Sequence, residues 1–233
     1  MIEIINTSKS FKGVPAVQDL SLRVAEGEIV GLLGANGAGK STTINMLLGF
    51  IQADSGLISI RQMDVTKKST EVRQLIGYIP ENVNLYPYLS GLENLDYFCR
   101  LANLKYSKQK LHELLSDCGL EREAHEKKVS EYSKGMRQKV GITIAYAKKA
   151  QVYLLDEPAS GLDPLASNEL SDLLRKLAAG GASILMASHD IFRVREVCHR
   201  IGILKQGRLV KELESANISA NELETLYLEY MKN

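Results

Sequence analysis

The sequence is poor in the features that mark disulfide-rich, metal-bound and membrane-spanning proteins. Its three cysteines, Cys99, Cys118 and Cys198, are odd in number and have no metal-ligand spacing, so we expect reduced, mostly buried thiols. No stretch approaches the roughly twenty apolar residues that cross a bilayer. Residues 1–6 also lack the basic start and long apolar core of a signal peptide. If the protein works at a membrane, we expect it to dock on another chain.

The chain also lacks an excess of charge of either sign. Its formal net charge of +1 at pH 7 argues against a strongly basic nucleic-acid binder, and we expect no nucleic-acid partner. Hydrophobic residues make up 45% and charged residues 24% of the chain, which are ordinary fractions for a globular protein. A length of 233 residues allows one large domain or two small ones with a well-buried core.

A glycine-rich loop is the most informative feature that is present. Residues 34–42 read Gly-Ala-Asn-Gly-Ala-Gly-Lys-Ser-Thr and fit the phosphate-binding pattern G-x-x-x-x-G-K-[ST]. An apolar run, residues 28–33, precedes the loop, and a run with helical periodicity, residues 41–48, follows it. In such a loop Lys40 would reach the β- and γ-phosphates, and the Ser41 hydroxyl would ligate Mg²⁺. The loop predicts a protein that binds a nucleoside triphosphate.

Short strands dominate the first sixty residues and return after residue 150, with helices between them. We predict strands at Ile2–Ile5, Leu20–Val24, Ile29–Leu33, Leu57–Ile60, Val152–Leu155, Ser183–Ala187, Ile201–Leu204 and Arg208–Val210. Helix N-caps are predicted at Ser90, Ser107, Ser133 and Ser219, and a further helix at about residues 164–179. A helical insert at about 90–150 therefore interrupts an α/β core, and we expect the last helix, about 219–232, to pack on its own domain.

Chemically reactive side chains follow three of the predicted strands. These are the glycine loop, Asp156 with Glu157, and His189. Ligands of open α/β sheets bind beyond the carboxyl ends of the strands, so we expect the three segments to converge. Asp156 would lie near Mg²⁺ and accept through metal-bound water, while Glu157 would act as general base on the water that attacks the γ-phosphate. His189 would contact the γ-phosphate.

Each of these assignments has a structural alternative. An apolar run that ends in Asp-Glu also occurs where a strand simply ends in a solvated turn, and a lone histidine is usually structural. Residues 132–138 read Tyr-Ser-Lys-Gly-Met-Arg-Gln, where Ser133, Gly135 and a helix N-terminus form a second anion-binding end. The alternative is an ordinary N-cap with a basic first turn. Because a cation is unfavourable at this end of a helix, Lys134 indicates that an anion lies nearby.

In the order of these motifs, the sequence resembles the nucleotide-binding subunit of ATP-binding cassette (ABC) transporters over nearly its whole length. Its motifs are similar to the Walker A loop at Gly34–Thr42, the Walker B strand at Val152–Glu157, the signature at Tyr132–Met136, the D-loop at Ser160–Asp163 and the switch histidine at His189. The resemblance implies ATP contacts from Phe11, Gly34, Asn36, Gly37, Gly39, Lys40, Ser41, Thr42 and Glu81. It implies Mg²⁺ contacts from Ser41, Glu81 and Asp156, and signature contacts from Ser133, Lys134, Gly135 and Met136 of a partner copy. Phe11 matches the aromatic residue that stacks on adenine, and Asp163 belongs to the loop that links the two active sites.

The resemblance also implies an architecture and partners. The fold expected is an α/β P-loop NTPase with a RecA-like core, an antiparallel β subdomain and a helical insert, as a single domain over residues 1–233. Two copies would form a homodimer head to tail, with ATP between the Walker A loop of one and the signature helix of the other. The dimer would dock on a separate transmembrane permease at the cytoplasmic face of the membrane.

Two departures from the general family pattern point to a branch of the family. Glu81 stands where glutamine usually senses the γ-phosphate and Mg²⁺, and an ionised carboxylate accepts hydrogen bonds but cannot donate them. Lys134 and Met136 stand where glycine and glutamine are common. Both variations resemble the ABC-2-type exporter branch. Within this branch, the motifs Pro-Glu-Asn at residues 80–82 and Tyr-Ser-Lys-Gly-Met-Arg-Gln at residues 132–138 also resemble those of the ATPases of nitrous oxide reductase maturation, which serve copper-site assembly. Related efflux ATPases share the same motifs.

The function predicted first is therefore an ATPase subunit that powers a separate membrane exporter. The alternative is a soluble ABC ATPase that acts on DNA or ribosomes, but such proteins carry a long insertion in the helical region or a second cassette, and this sequence has neither. A small-molecule kinase is a third hypothesis. It would need a lid and an acceptor site, but would not need Tyr132–Met136 or Ser160–Asp163.

Overall fold

A computed structural model describes residues 1–232. Within these residues the strands are β1 (Ile2–Phe11), β2 (Val14–Val24), β3 (Ile29–Leu33), β4 (Ser55–Ile60), β5 (Met63–Asp64), β6 (Ile76–Ile79), β7 (Val152–Asp156), β8 (Ser183–Ser188), β9 (Arg200–Lys205) and β10 (Arg208–Glu214). The helices are α1 (Lys40–Leu47), α2 (Ser69–Leu75), α3 (Gly91–Leu101), α4 (Lys108–Asp117), α5 (Lys134–Ala147), α6 (Pro164–Ala179), α7 (Ile191–Val197) and α8 (Ala220–Lys232).

The strands form two sheets of different kinds. A four-stranded antiparallel sheet has the order β2-β1-β4-β5. A six-stranded sheet has the order β10-β9-β3-β8-β7-β6, in which β10 is an antiparallel edge strand and the other neighbours are parallel. The predicted α/β core with an antiparallel β subdomain is confirmed.

The central strands are buried because helices cover both faces of a parallel sheet. Every residue of β3 and of β8 is buried, as are the first four residues of β7. On one face, Ile44 and Leu47 of α1 join a cluster that also contains β1, β2 and β4 residues, so α1 packs between the two sheets. On the other face, Leu174 and Leu177 of α6 pack with Ile184. This double cover holds the carboxyl ends of β3, β7 and β8 in fixed positions.

The helical insert has its own apolar cluster, which includes Leu95, Leu115 and Val140 from α3, α4 and α5. Ser90 begins α3 with a complete capping box, and Ser107 and Ser133 accept hydrogen bonds at the starts of α4 and α5. The insert and these three N-caps were predicted and are confirmed.

The last helix and the cysteines also agree with prediction. Leu223 of α8 is fully buried, and Leu226, Tyr227 and Tyr230 pack against the core, so the helix lies on its own domain. Asn233, at the end of the predicted domain, lies outside the described residues. The three cysteines are free and buried. Between residues 1 and 232, no helix combines the length and the apolar character needed to span a bilayer.

Several short elements were not predicted. The helices α2 and α7 have seven residues each and bury only one and two of them, which is too little for a helical period to show. The strand β6 has four residues, one of which is Gly77. A side chain on Gly77 would meet the Cβ of Ala145 in α5 at 2.5 Å, so glycine is present there for close packing. Strand β1 also runs further than predicted, to Phe11.

The central position of β7 predicts a large effect of truncating its side chains. Leu154 is fully buried, and Leu154→Ala leaves a cavity that should lower the free energy of unfolding by about 2–5 kcal/mol. Urea denaturation followed by circular dichroism measures the change. Leu101→Ala is the matched control, because Leu101 is 63% exposed and its truncation should change stability by no more than about 0.5 kcal/mol. Equal midpoints for the two variants would contradict the assigned burial of β7.

Candidate functional site

The predicted convergence of the three strand ends is confirmed by the sheet register. Leu33, the last residue of β3, pairs with Ser188 of β8, and Asp156, the last residue of β7, pairs with Ala187. The backbone N–H of Glu157 donates to Ala187 O at 2.9 Å. The glycine loop, the Asp156–Glu157 pair and His189 therefore lie side by side at the carboxyl edge of the parallel sheet.

The glycine loop passes so close to neighbouring backbone that two of its positions exclude a side chain. A Cβ on Gly34 would lie 2.6 Å from Leu204 O, and a Cβ on Gly39 would lie 2.5 Å from Ala16 O. Gly39 also has φ 107°, a conformation that favours glycine, and it begins α1 without a side-chain cap. The first N–H groups of α1 are thus left for an anion. Asn36 and Gly37 are exposed on the outside of the loop.

Lys40 is held beneath the loop and is only 6% exposed. Its ammonium donates to Gly34 O at 2.6 Å and to Ala35 O at 3.3 Å. The same Nζ lies 3.2 Å from Oε1 of Glu157, whose side chain is 13% exposed. A buried cation needs partners, and these contacts hold the Lys40 ammonium in position beside the loop.

Glu157 connects the ends of three strands. Its backbone has φ 47°, which is uncommon for a non-glycine residue and re-aims the side chain relative to Asp156. Its Oε2 accepts from the Ser188 hydroxyl at 3.3 Å and from the His189 backbone N–H at 3.2 Å, and lies 2.9 Å from His189 Nδ1. The carboxylate is therefore shared between Lys40 and His189. An anion that engaged Lys40 would leave the carboxylate free to accept a proton.

Asp156 occupies a different environment, although it is the neighbouring residue. Burial raises the pKa of its carboxyl, and the adjacent Ser41 hydroxyl opposes that shift. Across residues 1–232, Oδ1 of Asp156 is buried and has no hydrogen-bond partner. A divalent cation would satisfy this oxygen and favour the charged carboxylate. Mg²⁺ commonly uses one or two protein oxygens together with substrate phosphates, so Asp156 and Ser41 fit it.

Phe11 lies at the outer edge of this site. It is 45% exposed at the end of β1, where it pairs with Val14 of β2. Ala16, two residues further along β2, contacts the loop at Gly39. The Lys9 ammonium lies 5.6 Å from the centre of the Phe11 ring. Because its pairing partner Val14 is two residues from Ala16, the exposed Phe11 ring lies near the glycine loop, where it is suited to stack on a base.

Thr42, which the resemblance also predicts to contact ATP, is half-buried in the first turn of α1.

The signature segment begins α5 in the helical insert. Ser133 is exposed, and its hydroxyl accepts from the Met136 N–H at 3.2 Å. Gly135 is buried and closely packed, since a Cβ there would lie 3.0 Å from the Cβ of Ala166. Met136 packs against the apolar cluster of the insert, and Tyr132 is buried with its hydroxyl donating to Ala124 O. Ser133 and the following helix end thus face outwards, while Met136 and Tyr132 have structural contacts.

Glu81, which the family resemblance predicts to contact Mg²⁺, has two other side-chain neighbours in this structure. Its Oε1 accepts a hydrogen bond from the Ser160 hydroxyl at 2.9 Å and lies 4.0 Å from Lys134 Nζ. It is still near enough to Asp156 to help raise the pKa of that carboxyl. Asp163 caps α6, accepting from the Ala166 N–H at 2.9 Å. The metal role of Glu81 stays a prediction.

Gln138 and Ser160 lie in the motifs named from the sequence, but their contacts with Glu81 were not predicted. The Gln138 amide donates to Glu81 O at 3.1 Å and so fixes the backbone after β6 to α5. Ser160 binds the Glu81 carboxylate directly. Each pair is more than fifty residues apart in sequence, so no local pattern could have indicated the contact.

Comparisons with known proteins agree with this geometry. Residues 17–160 match the family model described as ABC transporter. An uncharacterised ABC transporter ATP-binding protein of Bacillus subtilis strain 168, YhcH, is 37% identical, over 95% of this chain and 73% of its own length. The Nod factor export ATP-binding protein I of Paraburkholderia xenovorans strain LB400 is 34% identical, again over 95% of this chain and 73% of its own length.

Among solved structures, the fold is similar to the dimeric, post-hydrolysis ATP-binding cassette MJ0796 bound to ADP and Pi. The TM-score is 0.82 at 27% identity, with 92% of this chain and 99% of that chain covered. Because the family match spans more than half of the sequence and the phosphate-binding loop lies beside a carboxylate and a histidine, the chain belongs to the ABC transporter family, as an ATP-binding subunit that hydrolyses ATP to power a separate transmembrane transporter.

Proposed function

We propose that this subunit drives export and that it does so as a head-to-tail homodimer on a permease at the cytoplasmic face of the membrane. The ATP hydrolysis on which the proposal depends is carried by one observation, the position of Glu157. Its carboxylate lies between the Lys40 ammonium and the His189 ring at the edge of the parallel sheet.

The residues around the glycine loop have distinct roles in this proposal. Lys40 and the N–H groups of α1 bind the β- and γ-phosphates, and Phe11 stacks on the base. When phosphate binds Lys40, the Glu157 carboxylate is released from its ion pair with that lysine. It then accepts the proton of the attacking water. His189 orients Glu157 through Nδ1 and contacts the γ-phosphate.

Mg²⁺ would be held by Ser41 and Asp156. When bound, it supplies positive charge that offsets the charge of the phosphates. The buried, unpartnered Oδ1 of Asp156 within the described part of the chain supports this assignment. Burial raises the pKa of Asp156, and positive charge at that position would favour its ionised form.

Dimerisation is supported by the exposed end of α5. Ser133 caps the helix but leaves its outer surface open, and the positive end of a helix favours an anion. In the proposed dimer, this end meets the γ-phosphate that Lys40 of the other copy binds. The dimeric state of MJ0796, a similar cassette, is consistent with the arrangement.

Export is supported by the relatives and by a surface of the insert. The relative from Paraburkholderia xenovorans is named for export of Nod factor, which is a property of that protein. On this chain, Tyr86, Tyr88 and Tyr97 are exposed near the start of the insert, and the rings of Tyr86 and Tyr97 pack in a T-shaped arrangement with centroids 4.9 Å apart. Exposed aromatic rings are typical of protein–protein contacts, and we assign this surface to the permease.

The first test concerns Glu157. Glu157→Gln keeps the shape of the side chain but removes its basicity, so ATP turnover should fall by about 10²–10⁴-fold while ATP affinity is retained. Steady-state phosphate release and fluorescent-nucleotide binding measure the two quantities. Lys40→Ala should instead weaken binding itself, because it removes a charge from the phosphate site. Turnover of Glu157→Gln close to that of the unmodified protein would place the base elsewhere.

The second test concerns the composite site. Lys40→Ala and Ser133→Arg chains should each be inactive alone, because the first cannot bind phosphate and the second puts a bulky cation at the helix end. A mixed dimer contains one intact site and one doubly damaged site, so mixing should restore part of the ATP hydrolysis. Full activity of Ser133→Arg alone would contradict a contribution from the partner copy.

Light scattering provides a control on assembly. Glu157→Gln should be monomeric without nucleotide and dimeric with saturating ATP, since bound nucleotide lies between the two copies. A mass that stays monomeric at saturating ATP, with nucleotide binding intact, would refute the dimer whatever the result of the mixing experiment.

A further inference from the structure

The three positions Glu81, Lys134 and Ser160 form a polar cluster at the junction of the helical insert and the core. The Ser160 hydroxyl donates to Glu81 Oε1 at 2.9 Å, and Lys134 Nζ lies 4.0 Å from the same oxygen. Glu81 follows β6, Lys134 begins α5, and Ser160 follows β7. One carboxylate oxygen thus links its own segment to two others.

Two further hydrogen bonds hold these segments in place. Gln138, one turn along α5 from Lys134, donates to Glu81 O at 3.1 Å. The Ser160 N–H donates to Glu157 O at 3.1 Å, which places the hydroxyl one turn away from the proposed base. The cluster therefore joins the start of α5 to the segment that follows Glu157.

Lys134 is in an electrostatically unfavourable place unless an anion is near it. It is the first residue of α5, and the first turn of that helix contains no acidic residue. The positive end of a helix disfavours a cation by a few tenths to about 1 kcal/mol. Glu81 is the anion that the structure places within 4.0 Å of the Lys134 ammonium. In a single copy, Glu81 therefore offsets the charge at this helix end.

A second anion would compete for the same cation. In the proposed dimer, the exposed end of α5 meets the triphosphate held by the other copy, and that triphosphate carries more negative charge than one carboxylate. Lys134 is also only half-buried, with 28% of its side chain exposed, so it is free to turn towards a new partner. Its departure would leave Glu81 with Ser160 alone.

We propose that Glu81 is a positioning residue that restrains Lys134 and Ser160 in the single copy, and that the triphosphate bound by a second copy displaces it from Lys134. The restraint favours the open, unpaired state, so its removal favours dimer closure. The inference rests on the head-to-tail dimer proposed above. It assigns a function to two departures from the family pattern, Glu81 and Lys134, which contact each other.

A double-mutant cycle tests the restraint. All chains carry Glu157→Gln, so that hydrolysis does not remove the dimer, and the dissociation constant of the ATP-bound dimer is measured by analytical ultracentrifugation. Glu81→Gln should tighten the dimer by about threefold, in the range of exposed ion pairs. Lys134→Ala should weaken it by about tenfold, because a charge-assisted contact to phosphate is lost. In the Lys134→Ala background, Glu81→Gln should have no effect.

Glu169→Gln is the matched control. Glu169 also pairs with a lysine of α5, Lys139, at 2.6 Å, and its side chain is 42% exposed, compared with 48% for Glu81. The control should leave the dimer constant unchanged. If Glu169→Gln tightens the ATP-bound dimer as much as Glu81→Gln does, then loss of any ion pair between the insert and the core favours the dimer. That result would overturn the role of Glu81.

A Mg²⁺ titration separates the restraint from a metal role of Glu81. If the carboxylate acts only on the metal, Glu81→Gln should shift the Mg²⁺ midpoint of dimer formation equally whether or not the chain also carries Lys134→Ala, and the proposal is overturned. If the restraint operates, the change depends on Lys134.

Hydrogen exchange of the nucleotide-free chain tests the restraint without any dimer. Glu81→Gln should raise the exchange of the amides in residues 158–163 by loosening Ser160, whereas Glu169→Gln should not. Unchanged exchange together with an unchanged dimer constant refutes the inference. A Glu157→Gln chain that binds ATP but never dimerises refutes instead the dimer on which the competition depends.

Discussion

The buried contact between Lys40 and Glu157 is the interaction on which the rest of the site depends. It joins the glycine loop after β3 to the end of β7, two segments more than a hundred residues apart in sequence. Both partners leave water on folding, which costs free energy that the ion pair and the carbonyls of residues 34 and 35 must offset. The loop is therefore organised around a cation before any phosphate arrives, and the carboxylate is next to the position where the phosphate binds.

That contact is possible because the parallel sheet fixes three strand ends in one register. Helices on both faces exclude water from β3, β7 and β8, and close packing leaves little freedom for the strands to shift. The two neighbouring carboxylates have different surroundings because their side chains point in different directions. Asp156 continues the strand into a half-buried position beside Ser41, whereas the positive φ of Glu157 turns its side chain towards Lys40 and His189.

Much of the fold was predictable because its determinants are local. An N-cap serine, a glycine loop or an apolar run of five residues acts through neighbours within one or two turns, so Ser90, Ser133 and β3 were placed correctly from sequence. Elements that were missed, such as α2, α7 and β6, are short and carry weak periodicity. They are stable through contacts with other elements, and tertiary packing rather than intrinsic propensity decides such cases.

The sequence by itself determined the glycine loop, the carboxylate pair at the end of an apolar strand and the family to which they belong, since spacing along the chain specifies each of them. Only the tertiary structure decided which side chains meet. Glu81 was aligned with a metal-sensing position, yet its carboxylate contacts Ser160, 79 residues away, and approaches Lys134. A side chain selects its rotamer among the partners that folding brings within reach, and those partners come from segments whose proximity no local pattern records.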